Sequence, residues 1–153
     1  MSTGLNNYSE NALLLLLFNN TAWANIGNAA GLQPSGVAGT FSIALHTGTG
    51  PGQAGTNQQA NEAAYTNYGR QTLARAAANW VVSGSSPTYC NNNTAITFNA
   101  ATGGSETETY VSIGLTSTGA NEYLFFGALT ANLAVSSPIQ PIFAANALSV
   151  TLQ

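Results

Sequence analysis

Charge is what this chain of 153 residues has least of. It has no lysine and no aspartate; its cations are Arg70 and Arg75, its acids Glu10, Glu62, Glu106, Glu108 and Glu122, and His46 is its one histidine. Charged residues make up 5% of it, against roughly 25% in an ordinary soluble domain. Two arginines cannot neutralise phosphates over a useful footprint, which excludes nucleic acid as a partner. A polybasic membrane contact fails for the same reason. The shortage also removes most of the side chains that do acid–base, phosphate or metal chemistry, so no catalytic residue, cofactor or metal is expected. The single Cys90 cannot form an intrachain disulfide and reads as a small hydrophobe. The apolar run at 12–18 is far shorter than the roughly 20 residues that span a bilayer. No Lys or Arg precedes it and Glu10 adjoins it, so it reads as a helix rather than a secretion signal.

What remains is a surface of Asn, Thr, Ser, Gln and backbone with a net charge of −3. Free-living soluble proteins keep apart by mixed surface charge. A surface without it is suited to lying against other protein, which points to a building block. Hydrophobic content of 44% is enough for a globular core. The length fits one domain, and the expected organisation is an N-terminal arm and short helix over 1–39 followed by a β-sandwich over 40–153.

Along the chain, Ser9 followed by Glu10 and the Leu run predicts an N-capped helix ended by Asn19-Asn20, with a buried strand as the competing reading. Residues 24–39 read as a loop. Residues 41–47 alternate, with Phe41, Ile43 and Leu45 on one face and Ser42, Ala44 and His46 on the other, which predicts a half-buried strand. The polar stretch 48–61 lacks packing residues and reads as a long exposed loop. Short strands are expected at 70–74, 79–82 and 95–99. Residues 107–115 and 122–130 are expected to pair as a hairpin, and strands at 138–143 and 147–152 close the chain. Pro138 and Pro141 push their strand toward an edge. The fold class this implies is all-β: an antiparallel β-sandwich, jelly-roll-like, with a short N-terminal α-helix.

Few residues carry candidate roles. Arg70 and Arg75 suit bidentate carboxylate pairs, within the core or across an interface. Glu106 and Glu108 are two apart on a strand and share a face; such a pair can serve glycoside hydrolysis or calcium, though two acids alone make a poor site and a solvated strand end is expected. His46 reads as a polar residue on the open face of its strand. Trp23 and Tyr68 are candidate anchors in an interface. The candidate interface set is therefore Arg70, Arg75, Glu106, Glu108, Trp23 and Tyr68.

The segments TYVSIGLTSTG at 109–119, EYLFFGALT at 122–130 and PIFAANALSVTL at 141–152 resemble a family of small tailed-bacteriophage virion structural proteins. In that family a strand ending V-G-I-F leads to L-L-F-Y-G-x-L-T and a closing F-x-x-G-x-L-x-V-T-L. ALHT at 44–47 and YGRQ at 68–71 are similar to the family's A-L-Y-T and G-Y-x-R-Q. His46 stands where Tyr is common, and Asn146 replaces a usual Gly. The resemblance implies a structural protein of the virion, not an enzyme. The position it suggests first is a capsid cement or decoration protein that binds the major capsid protein and copies of itself as a dimer or trimer. The alternatives are a tail or tail-fibre-associated protein and, from a different class, a carbohydrate-binding module.

Overall fold

The computed structural model describes residues 4–55, 57–85, 87–120 and 122–152; sequence expectations for residues 1–3, 56, 86, 121 and 153 lie outside them. The elements in order are α1 (Asn7–Asn19), β1 (Thr40–Thr47), β2 (Gln71–Ala74), β3 (Trp80–Ser83), β4 (Tyr89–Asn92), β5 (Ile96–Thr97), β6 (Ser105–Gly114), β7 (Tyr123–Ser136), β8 (Ile142–Phe143) and β9 (Ser149–Thr151). The fold is all-β and antiparallel, of the sandwich class, with one short helix near the N-terminus, as the alternation of the sequence implied. The chain forms two compact units. One is built from 1–39, 74–95 and 143–153, the other from 40–73 and 96–142.

In the first unit α1 lies on a three-stranded sheet ordered β3-β4-β9. Its N-cap is Asn6, whose side-chain oxygen accepts from Ser9 N–H at 2.8 Å. The expected cap, Ser9, is instead three residues inside, because Asn6 takes the extended backbone a cap requires. Asn20 ends the helix in the left-handed conformation, as the Asn pair predicted. Leu14 and Phe18, four apart, are fully buried, and the Phe18 ring lies 4.8 Å from that of Trp80. Glu10 is buried too and accepts from Thr88 N–H at 3.2 Å.

β4 arises inside a stretch whose Asn content reads as a loop. It forms because Asn92 is a structural residue. Its amide donates to the Thr94 and Ala144 carbonyls, and its side-chain oxygen accepts from Leu148 N–H, all at 2.8 Å. One buried side chain thereby joins β4 to the turn that leads into β9. Asparagine also supplies every non-glycine positive φ among the described residues: Asn20, Asn25, Asn61, Asn67 and Asn146. A short amide side chain tolerates this region better than other L residues do. At Asn146 the φ is 65°, in the left-handed region that favours glycine.

The second unit holds a four-stranded sheet ordered β2-β1-β6-β7 and the β5-β8 pair. β6 and β7 form the expected hairpin, with Val111 opposite Gly127 and Ile113 opposite Phe125. Ile43 faces Ile113 and Leu45 faces Val111 across β1 and β6, which sets the apolar face. The expected half-exposure of β1 is not found: Phe41 through His46 are all buried. β1 is an interior strand, and the 48–61 segment lies over its polar face rather than extending into solvent. Pro51 and Gln58 are buried, Thr47 N–H donates to the Asn61 carbonyl at 2.8 Å, and Ala63 N–H donates to the Leu45 carbonyl at 2.9 Å. The proline-containing strand shortens to two residues, Ile142–Phe143, in the two-stranded sheet.

Candidate functional site

Beneath the 48–61 segment lies a buried polar network made of groups that look unrelated in the sequence. His46 projects from β1 and Ser112 from β6, next to one another on the face opposite the Leu45–Val111 pair. His46 Nδ1 is 3.0 Å from the Ala60 carbonyl, and Nε2 is 2.7 Å from Ser112 Oγ. A carbonyl can only accept, so the network assigns the imidazole proton to Nδ1 and makes Nε2 the acceptor of the Ser112 hydroxyl. Gln58 donates to Ser112 Oγ at 3.0 Å and to the Ser42 carbonyl at 3.1 Å. Burial lowers the His46 pKa below its usual value, and Arg70 adds to this against the opposing pull of Ala60 and Glu62. The ring is therefore neutral.

Arg70 closes the other side of the network. Nε donates to Glu62 Oε1 at 2.6 Å and NH2 to Glu62 Oε2 at 2.8 Å, a two-pronged ion pair. NH1 donates to Gln58 Oε1 and to the Thr116 carbonyl, each at 3.1 Å, and NH2 also donates to the Gly119 carbonyl at 2.9 Å. All five guanidinium hydrogens are thereby used within the chain. Tyr68 completes the group: its hydroxyl donates to Glu62 Oε1 and accepts from Leu45 N–H, each at 3.1 Å. Burial first, then the Glu62 charge, pushes the Tyr68 phenol far above its usual range. Gly114 must lack a side chain, because a Cβ would lie 2.2 Å from Gln58 Oε1.

Ser112 and His46 have the separation of a nucleophile and its base, but they are not arranged for turnover. Both are fully buried, Ser112 Oγ also accepts from Gln58, and His46 Nδ1 is held by a carbonyl where a triad needs a carboxylate. The network's chemistry is cohesion: it ties the 48–61 and 115–119 segments to the sheet. The expected open-face position for His46 fails because strand alternation cannot reveal that a polar segment folds back over that face. Gln58 had no signal at all, being one amide among many.

The other candidates stand elsewhere. Arg75 donates to the Leu17 carbonyl at 2.5 Å, the Leu16 carbonyl at 2.8 Å, the Ala38 carbonyl at 3.0 Å and Ser35 Oγ at 3.0 Å. It supplies the positive charge at the C-terminus of α1 that the helix itself lacks. Trp23 is half-buried and exchanges backbone hydrogen bonds with Leu32 at 2.9 Å. Glu106 accepts from the N–H groups of Ala64 and Tyr65, and Glu108 is fully buried, so this pair is not the solvated strand end the sequence suggested. Exposed apolar side chains are set among uncharged neighbours: Val37 is 85% exposed in the first unit and Ile142 is 55% exposed in the second.

No curated protein matches the sequence. A family described as "Podophage GP4 fiber I protein gp80" matches residues 4–151. That span takes in both units, the buried network and all six candidate interface residues. The chain belongs to this podophage GP4 fiber I protein gp80 family and is a structural protein of the tailed-phage virion.

Proposed function

We propose that the protein is a tail-fibre-associated structural component, working by assembly with neighbouring virion proteins and with copies of itself. The observation that carries this is the family match over residues 4–151, whose description is that of a fibre protein. Of the positions weighed from the sequence, the tail fibre has better support than the capsid cement for this reason. The surface supports assembly as the mode of action. Two arginines and five glutamates leave little like-charge repulsion to oppose close approach, and exposed apolar groups such as Val37 and Ile142 gain by being covered. Arg70, Tyr68 and Glu62 contribute by holding the loops that face outward in a fixed shape, because a preorganised surface loses less entropy on binding. Dimers or trimers with closed symmetry would multiply modest contacts.

Labelling purified virions with an antibody to this chain, together with its copy number relative to the major capsid protein, tests the reading. Label confined to the tail at low copy number is the expected result. Label spread over the shell at a simple fraction of the capsid protein would replace the fibre with the cement.

A further inference from the structure

Glu106 and Glu108 lie two apart on β6, beside the segment that carries Tyr65. Glu106 is well supplied: Oε1 accepts from Ala64 N–H at 2.8 Å and from Tyr65 N–H at 2.7 Å, fastening that segment to the strand. Glu108 is in the opposite situation. It is 0% exposed, and among the described residues neither of its carboxyl oxygens meets a hydrogen-bond donor. On the neighbouring strands its register partners are Thr47 of β1 and Leu133 of β7, neither of them charged. The titratable groups within reach are Glu106 and Tyr65. An ionised carboxylate in this position would be a buried charge with no counter-charge and no donor, beside a second carboxylate, and proteins neutralise such a group rather than bear it.

We propose that Glu106 and Glu108 share a single proton, carried by Glu108 and donated to the free oxygen of Glu106, and that the pair is a pH-sensitive latch holding the Tyr65 segment on β6. The inference goes beyond the fibre reading and does not depend on it. Glu106 is the acceptor of the pair, its Oε1 already receiving the Ala64 and Tyr65 N–H groups. Burial, followed by the hydrogen bond and charge of Glu106, pushes Glu108 up to about 8. Burial, then Glu108 and Glu106, raises the Tyr65 phenol to about 12, so Tyr65 stays neutral while the pair titrates. Because the folded-state value lies above the usual 4.5, the contribution to stability is complete below 4.5 and is lost as pH rises through about 8. On that rise the shared proton leaves to solvent, two negative charges adjoin, and the latch weakens.

Carbon-13 NMR of glutamate-labelled protein tests this directly. One carboxyl titrating near 8 in the wild type, and missing in Glu108→Gln, is the expected result, because the amide supplies a permanent hydrogen in place of the proton. The unfolding temperature of the wild type should fall from pH 6 to pH 9 while that of Glu108→Gln stays level. Ordinary titration of all five glutamates overturns the latch, as does an unchanged pH slope in Glu108→Gln. A rise in wild-type unfolding temperature with calcium at neutral pH, reversed by EDTA and absent in Glu108→Gln, also overturns it, by showing that a cation occupies the pair instead.

Discussion

At the residue scale the fold depends on a few ionisable groups that each have several partners. Arg70 and Glu62 are a buried, doubly bonded pair, with side chains 3% and 14% exposed. Removing one member strands the other, so Arg70→Leu is expected to cost about 3–5 kcal/mol. The double change Arg70→Leu with Glu62→Leu should cost less than the sum of the single changes, as urea unfolding of the three variants will show. His46 sets the acid side of the stability profile. Its folded-state pKa is lowered by burial from 6.5, so its contribution is present above 6.5 and is lost as pH falls through the lower folded-state value. His46→Gln should flatten that acid limb, read as unfolding temperature between pH 4 and 7. An Arg–Glu pair was legible in the sequence, because so few charges leave few choices of partner. Which glutamate, and that Gln58 and Ser112 join it, was not, since 66 residues separate His46 from Ser112.

At the scale of elements, the helix illustrates how much of its stability comes from outside itself. α1 is apolar over 12–18 and carries no basic residue in its last turn, so its dipole is completed by Arg75 from the link between β2 and β3. Asn6→Ala removes one cap and is expected to cost about 1 kcal/mol. Arg75→Ala removes charge-assisted bonds to two terminal carbonyls and is expected to cost about 1.5–3 kcal/mol, with loss of helical circular dichroism before the β signal in a denaturant titration. The strands that alternate cleanly, β1 and β6, were legible as elements, and so was the hairpin to β7. β4 was hidden because Asn91 and Asn92 carry a turn signature that the buried hydrogen bonds of Asn92 override. The 48–61 segment was misread for a related reason: its composition lacks packing residues, yet amide hydrogen bonds and glycine contacts seat it. Gly50, for example, lies against the ring of Tyr110, where a Cβ would approach Cγ to 2.7 Å.

At the scale of the whole molecule, the property that matters most is the near absence of charge on a surface that still exposes apolar groups. Val37→Glu and Ile142→Lys each add charge at an exposed position and should leave folding stability within about 0.5 kcal/mol. Under the proposed assembly role, at least one should lower incorporation into virions, measured as copies per particle beside wild type. By itself the sequence determined the all-β class, the N-terminal helix and the virion family. Those follow from composition, from alternation of period two and from short local motifs, all of which are written along the chain. The tertiary structure decided which polar groups are buried and who their partners are. Burial depends on what a distant segment folds over: the 48–61 segment covers His46 and Ser112, and Glu108 is buried where no donor among the described residues reaches it. No local pattern records that distance in sequence, because it is the closure of the fold that brings those groups together and removes water from between them.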